Sequence, residues 1–259
     1  MTTLDDELAL ALDLADAADR HTLPRFEQAD FTLGWKDDRT EVTEADRGTE
    51  ALLADLVAAA RPGHAFYGEE HGLAGVADSV WRWVIDPIDG TSGFVRGIPV
   101  WATLIALTHS RHGVMVAVVS APALGLRWWA IRGGGAYAHG ARCHVSKVAE
   151  LAAAQVSVTF NAGWDELGLT AVLVDIQSRA RRARGFGDFW QHCLVAEGAI
   201  DLAIDAVGVA PYDLAAVRLL VEEAGGRFTD RHGVATHEHP TAISSNGLLH
   251  DLVIARLGG

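Results

Sequence analysis

The sequence predicts a layered α/β protein, on three observations. The chain has 259 residues, of which 49% are apolar and 21% charged, and this is enough for a large buried core. In the first half, two amphipathic segments are followed by short β-branched or aromatic segments separated by Gly and Pro. After about residue 150, strand-like and helix-like segments alternate along the chain. Such alternation is typical of sheets covered by helices.

The elements of the first half follow from local patterns. Leucines and an alanine recur at helical spacing over residues 4–19 with aspartates on the opposite face, so an amphipathic surface helix is predicted there. A second helix is predicted over 43–60, where Pro and Gly then end it. Gly133-Gly134-Gly135 predicts a hairpin turn. Strands are predicted over 81–86, 100–108, 114–120 and 126–131.

The second half is predicted to alternate. Strands are expected over 155–159, 183–186, 200–205, 227–229 and 242–244. Helices are expected over 166–179, 189–198, 213–224 and 248–257. The change of pattern near residues 145–150 predicts two closely packed halves, 1–147 and 148–259.

Composition excludes several classes of protein. The formal net charge of −13 argues against nucleic acid, whose phosphates would be repelled. An acidic protein that handles phosphate needs positive charge at its site, and bound cations would supply it. Cys143 and Cys193 are too few for a disulfide framework. The chain shows neither a signal peptide pattern nor a long apolar run, so we expect a cytoplasmic protein that does not enter a membrane.

The most informative segment is Asp86-Pro87-Ile88-Asp89-Gly90-Thr91, which follows an apolar strand. Pro87 turns the chain, so that Asp86 and Asp89 can converge on one point, and the carbonyl of Ile88 can add a third oxygen. The backbone N–H groups of Gly90 and Thr91 would favour a phosphate. This set suits hard cations that bridge to phosphate. The alternative is a plain Asp-rich turn after a strand.

Three further segments separate these alternatives. They are Val42-Thr43-Glu44-Ala45-Asp46, Gly68-Glu69-Glu70 and Pro211-Tyr212-Asp213-Leu214-Ala215-Ala216. With residues 86–91, they resemble the motifs of the inositol monophosphatase superfamily in order and spacing, over nearly the whole chain. The resemblance implies an α/β (α+β) fold, a layered αβαβα sandwich of the inositol monophosphatase/fructose-1,6-bisphosphatase type.

The resemblance also implies a function, that of a Mg²⁺-dependent phosphatase acting on a small phosphate monoester. Metal ligands would be Glu69, Asp86, Asp89, Asp213 and the Ile88 carbonyl, most of them in the first half. They would hold two or three Mg²⁺ ions, with Mn²⁺ as a substitute. Asp46 and Thr91 match the pair that orients the attacking water, and Glu69 joins them as a catalytic residue. Hydrolysis would follow a two-metal mechanism.

Several of these residues have simpler interpretations. Asp213 could be only a helix N-cap, and Asp46 a plain surface acid. Glu70 would be a solvated neighbour of Glu69 or a supporting group, and Lys36 a lone exposed lysine. The histidines at 232, 237 and 239 have no Cys or spaced partner, which argues against zinc.

The substrate and the residues that bind it are predicted from a narrower resemblance. Arg184-Gly185-Phe186-Gly187-Asp188-Phe189 and Cys193-Leu194-Val195-Ala196-Glu197-Gly198 resemble the histidinol-phosphate phosphatases of this superfamily. An ammonium and an imidazole on the substrate could pair with Asp188, Glu197 and Asp205. Gly90, Thr91, Ser92 and Arg184 would also contact the substrate. The alternative for Arg184 and its neighbouring arginines is a helix C-terminus, where they would complement the helix dipole. The expected reaction is hydrolysis of histidinol phosphate to histidinol and phosphate, in histidine biosynthesis.

Two departures from the pattern keep alternatives open. Ser92-Gly93 stands where those relatives usually carry Lys-Asn or Thr-Asn, and Tyr212 replaces a tryptophan. An inositol monophosphatase, or a phosphatase for another sugar, amino-sugar or nucleoside monophosphate, is the alternative enzyme. A non-catalytic phosphometabolite-binding protein is the alternative of a different class. Expected partners are a small phosphorylated metabolite and a second copy of the chain.

Overall fold

The computed structural model describes residues 2–36 and 40–258. Internal contacts divide the chain into two units, Met1–Arg132 and Gly133–Gly259. This division lies before the predicted boundary between 1–147 and 148–259, which stays a prediction. Within the described residues, no helix combines the length and the apolar character needed to cross a bilayer.

The first unit contains three helices and eight strands among its described residues. The helices are α1 (Leu4–Gln28), α2 (Glu44–Ala60) and α3 (Thr91–Val95). The strands are β1 (Leu33–Trp35), β2 (Glu41–Thr43), β3 (Ala65–Gly68), β4 (Gly72–Gly75), β5 (Trp81–Asp89), β6 (Ala102–His109), β7 (Gly113–Ala121) and β8 (Leu126–Ile131). The predicted helices and strands of this half are confirmed, and α1 runs longer than predicted because it continues through Pro24.

The main strands of the first unit lie in the order β8-β7-β6-β5-β3-β4. β3 runs parallel to β5, and the other neighbouring pairs are antiparallel. Helices α1 and α2 pack on the sheet through one apolar cluster, which includes Leu14, Leu53 and Trp83. The register between β5 and β6 is interrupted between Asp86 and Asp89, so the predicted motif lies on a β-bulge. Bulges of this kind re-aim side chains.

The second unit contains five helices and seven strands among its described residues. The helices are α4 (Ala162–Glu166), α5 (Thr170–Arg179), α6 (Asp188–Ala196), α7 (Pro211–Glu223) and α8 (His250–Leu257). The strands are β9 (Gly135–Ala138), β10 (Ala141–Arg142), β11 (Gln155–Val158), β12 (Arg182–Arg184), β13 (Leu202–Ile204), β14 (Arg227–Thr229) and β15 (Ile243–Ser245). The single helix predicted over 166–179 is wrong at its start, because Gly168 adopts φ +70° and separates α4 from α5.

The sheet of the second unit has the order β12-β11-β13-β15-β14. β12, β11 and β13 run parallel, and β15 is antiparallel to both its neighbours. Helices cover both of its faces. Along β15, Ser244 reaches His192 of α6, whereas the next residue, Ser245, reaches His250 of α8. Successive residues of a strand point to opposite faces, so α6 and α8 lie on opposite sides of this sheet.

Candidate active site

The bulge at the end of β5 brings two carboxylates together. Asp86 and Asp89 are 2% and 9% exposed, and each places a carboxylate oxygen within 4.8 Å of one from the other. The backbone N–H of Ile88 donates to Asp86 Oδ1 at 2.9 Å, and Thr103 Oγ1 donates to the carbonyl of Pro87 at 2.8 Å. These bonds hold the turn in the shape that the sequence predicts.

Glu69 joins this pair because β3 and β5 are parallel neighbours. Gly68 is in register with Ile85, so the next residues, Glu69 and Asp86, follow at the same edge of the sheet. Their side chains are close enough to hydrogen bond. Burial raises the pKa of Glu69, against the hydrogen bonds to Lys36 and Asp86, which lower it. Lys36 Nζ lies 2.6 Å from Glu69 Oε1.

Lys36 and Glu70 form an ion pair beside Glu69. Lys36 Nζ also lies 2.7 Å from Glu70 Oε1, and the side chain of Glu70 is only 4% exposed. The interpretation of Glu70 as a solvated neighbour is therefore wrong. Burial alone would lower the pKa of Lys36, but the hydrogen bonds and charges of Glu69 and Glu70 outweigh it and raise that pKa.

Glu50 of α2 supports the loop that carries Glu69. Its side chain is fully buried, and its two oxygens accept the backbone N–H groups of Glu70 and His71, each at 2.7 Å. A Cβ atom added at Gly68 would lie 2.2 Å from Glu50 Cδ. Only a glycine at 68 lets Glu50 approach this loop so closely.

Gly68→Ala is expected to lower the free energy of unfolding by about 1–3 kcal/mol, the usual cost of overpacking a core. It should also reduce activity, because Glu69 moves with the displaced loop. Gly63→Ala is the matched control, since a Cβ there meets no atom within 4 Å. Urea unfolding of both variants tests this prediction, and equal stabilities would contradict it.

A hydrogen-bonded chain links Asp46 to Thr91. Asp46 is 1% exposed near the start of α2, where its Oδ2 accepts the backbone N–H of Thr43 at 2.7 Å and the Thr43 hydroxyl at 2.6 Å. Thr91 Oγ1 lies 3.0 Å from Asp46 Oδ1 and 3.0 Å from the carbonyl oxygen of Ile88. Burial raises the pKa of Asp46, against the hydrogen bonds from both threonines. Asp46 is therefore not the plain surface acid of the alternative interpretation.

The donor set of the first unit fits a hard divalent cation. Asp86 and Asp89 offer clustered carboxylate oxygens, and Glu69 lies beside Asp86. The carbonyl of Ile88 belongs to the same turn, and Mg²⁺ prefers oxygen ligands of these kinds. Lys36 is shared between Glu69 and Glu70, so its single charge does not balance these acids. Adding positive charge would stabilise their ionised forms.

Gly90, Ser92 and Gly93 lie where the helix α3 begins. Gly90 is its N-cap with φ +87°, a conformation that favours glycine, and Ser92 is exposed within the first turn. A Cβ at Gly93 would meet the carbonyl oxygen of Val100 at 3.2 Å, a tight contact. The departure from the usual asparagine at Gly93 thus accompanies a close approach of the following loop.

In the second unit, Arg184, Asp188 and Asp205 lie at one edge of the sheet. Arg184 ends β12 and Asp205 directly follows β13, and the carboxyl ends of these parallel strands meet at the same edge. Asp188 begins α6 with φ +47°, which Asp tolerates better than most residues. Its side chain is exposed to solvent but crowded by protein atoms. This partial desolvation, followed by the negative charge of Asp205, raises the pKa of Asp188 to about 6.

The remaining predicted residues lie elsewhere in the second unit. Glu197 caps the C-terminal end of α6, so about 13 Å of helix axis separates it from Asp188. The structure therefore does not bring Glu197 to Asp188. Asp213 lies in the first turn of α7 and its Oδ2 accepts the backbone N–H of Ala210 at 2.7 Å, as a capping residue does. Its role as a metal ligand stays a prediction.

Two residues close to this chemistry were missed from the sequence, Glu50 and His192. Glu50 lies four residues after Asp46 on α2, and His192 four residues after Asp188 on α6. Residues four apart share a helix face. That spacing is the signal that could have found both.

Comparisons with known proteins identify the family to which the sequence is similar. The sequence matches the Inositol monophosphatase family over residues 5–258. It is 48% identical to a histidinol-phosphatase of Mycobacterium tuberculosis over 258 residues, 97% of this chain and 98% of that protein. A histidinol-phosphatase of Streptomyces coelicolor is 44% identical over 97% of each chain. The solved extragenic suppressor protein suhB of Bartonella henselae matches with a TM-score of 0.88 and 26% identity, over 96% of this chain and 97% of that one.

These likenesses define a phosphoric monoester hydrolase and confirm the predicted fold class. The chain belongs to the inositol monophosphatase family. Members of this family depend on magnesium.

Proposed function

We propose that the protein hydrolyses histidinol phosphate to histidinol and phosphate, as a step of histidine biosynthesis. The observation that carries this proposal is the acidic pair at the sheet edge of the second unit, Asp188 and Asp205. A cationic alcohol would pair with these carboxylates, whereas a neutral polyol gains little from them. The names of the relatives from M. tuberculosis and S. coelicolor support the same substrate.

Glu69, Asp86, Asp89 and the carbonyl of Ile88 are the proposed magnesium ligands in the first unit. Asp213 is proposed as a further ligand. Two or three ions per site are proposed, with Mn²⁺ as a substitute. When bound, Mg²⁺ makes a water molecule more acidic and neutralises charge on the phosphate and the leaving oxygen.

Thr91 and Asp46 orient the attacking water in this proposal. The hydroxyl of Thr91 donates to Asp46 Oδ1, which leaves its oxygen free to accept a hydrogen from water. Thr43 fixes Asp46 through two hydrogen bonds, so the accepting oxygen is held in place before substrate binds. The backbone of Gly90, Thr91 and Ser92 and the side chain of Arg184 are proposed to contact the phosphate.

The proposal also covers the cellular location and the oligomeric state of the protein. A cytoplasmic homodimer is proposed, and Glu197 stays a predicted substrate contact with no support from its place on α6. Inositol phosphate is the substrate to be tested against histidinol phosphate.

Asp188→Asn is expected to lower kcat/KM for histidinol phosphate by about 10- to 150-fold, because it removes a charged partner worth about 1.5–3 kcal/mol. The same variant should hydrolyse inositol 1-phosphate nearly as well as the wild type. Comparing both substrates on one variant cancels any damage to the metal site. Steady-state kinetics with saturating Mg²⁺ gives the two ratios.

Two outcomes would count against the proposal. An equal loss on both substrates would mean that Asp188 acts structurally. A wild-type enzyme that hydrolyses inositol 1-phosphate faster than histidinol phosphate would contradict the proposed substrate directly.

A further inference from the structure

His192 is a buried residue of α6 with a polar partner on each side. It is 1% exposed, its Nε2 lies 2.8 Å from Asp205 Oδ2, and its Nδ1 lies 2.6 Å from Ser244 Oγ. A carboxylate can only accept, so the hydrogen between His192 and Asp205 belongs to Nε2. His192 therefore donates to the acid that the proposed function assigns to the leaving group.

The fold builds this chain from three different elements. Ser244 lies on β15 opposite Ala203 of β13, and Asp205 directly follows β13. His192 reaches across from α6 and contacts Ser244 on β15 and Asp205 at the end of β13. Ser244 is fully buried, so its hydroxyl does not contact solvent and hydrogen bonds the imidazole instead. The position of the His192 ring is thus set by the sheet and not by solvent.

The backbone of Asp205 is fixed as well. Its carbonyl accepts the indole Nε1–H of Trp164 at 3.0 Å, and its N–H donates to the carbonyl of Ala242 at 2.9 Å. The second carboxylate oxygen, Oδ1, accepts the N–H of Ala206 at 2.8 Å. Each carboxylate oxygen therefore has one protein donor and keeps acceptor capacity for another.

We propose that His192 is a positioning residue which, with Ser244, fixes the Asp205 carboxylate as an acceptor for the cationic end of the leaving group. Asp188 lies one helical turn before His192 on the same face of α6. The histidine therefore hydrogen bonds one acid of the pair, Asp205, and lies one helical turn from the other. This inference rests on the proposed function and assigns the selectivity of that site to a residue that does not itself contact substrate.

The test is the selectivity ratio, kcat/KM for histidinol phosphate divided by kcat/KM for inositol 1-phosphate. His192→Phe keeps a ring but removes both hydrogen bonds, and it should lower this ratio about tenfold, the range for losing a bond to a charged group. His192→Gln keeps an amide donor towards Asp205 and should restore most of the ratio. Ser244→Ala should lower the ratio less than His192→Phe does.

A second readout does not depend on turnover. The dissociation constant of L-histidinol, measured by calorimetry on the purified protein, should rise in His192→Phe by about the same factor as the ratio falls. In an Asp205→Asn background, His192→Phe should add little, because the residue acts through Asp205.

His250 provides a matched control for the loss of a buried histidine. It is fully buried in the same unit, but its ring nitrogens contact two hydroxyls, Thr229 Oγ1 at 2.9 Å and Ser245 Oγ at 2.8 Å. His250→Phe should destabilise the fold in a similar way and leave the selectivity ratio unchanged.

The outcomes separate the two proposals. If the wild type prefers histidinol phosphate, but His192→Phe loses both substrates equally or His250→Phe shifts the ratio as much, the role of His192 is overturned while the substrate stands. If the wild type shows no preference for histidinol phosphate, the proposed substrate falls, and this inference falls with it.

Discussion

Asp89→Asn is expected to lower kcat/KM by at least about 100-fold on every phosphate monoester while the fold is retained. The substitution keeps the size of the side chain and removes one negative charge from the carboxylates at the end of β5. Asp86 and Asp89 place their oxygens within 4.8 Å of each other, so a cation near one is also held by the other. The variant should need a higher Mg²⁺ concentration for half-maximal activity.

Metal removal gives the companion measurement. Chelation should abolish the activity of the wild type, and added Mg²⁺ should restore it. Asp55→Asn is the matched control, because Asp55 is an exposed acid of α2 and its loss changes the net charge equally. Near-normal turnover in Asp89→Asn, with an unchanged Mg²⁺ requirement, would remove Asp89 from the proposed ligands.

The part of the site that was predictable from sequence is the part made by neighbouring residues. Asp86, Ile88, Asp89 and Thr91 lie within six positions, and Pro87 with the bulge turns them towards one another. Turn chemistry is local, so the convergence of these residues follows from the order of their side chains alone. The helix α2 was predictable for the same reason, since Thr43 and Asp46 form a capping box at its start.

Contacts between distant positions could not be predicted in this way. Lys36 contacts Glu69 across 33 positions, and His192 contacts Ser244 across 52. The residues next to Lys36 or His192 in the sequence do not identify its contact partner, because the contact depends on which strands lie side by side. Without that order, an isolated lysine is indistinguishable from a solvated one, and an isolated histidine from an ordinary core residue.

Short strands were missed for a related reason. β3 and β4 have four residues each, and β4 is bounded by Gly72 and Gly75. Neither has enough length or β-branched content to be recognised alone. They exist because β3 pairs with both β4 and β5, which is a tertiary effect. The consequence for function is direct, since β3 is the strand that delivers Glu69.

Thr91→Ala is expected to lower kcat by about 100-fold and to change KM much less. The variant removes the hydroxyl that lies 3.0 Å from Asp46 Oδ1, so the water would lose its acceptor while the contacts of the substrate's far end remain. Asp46 would also lose one hydrogen bond that opposes the rise in its pKa. Thr91→Ser keeps the hydroxyl and should recover most of kcat.

The relative effects of Thr91→Ala on kcat and on KM show which role Thr91 has. Thr108→Ala is the matched control, because it removes a hydroxyl that donates to the carbonyl of Arg82 at 3.0 Å on the same sheet, within β6. It should leave both constants close to those of the wild type. If Thr91→Ala raises KM and leaves kcat unchanged, Thr91 binds the phosphate and does not orient the water. Asp46, which keeps its two hydrogen bonds to Thr43 when the Thr91 hydroxyl is removed, would then be the residue to test for that role.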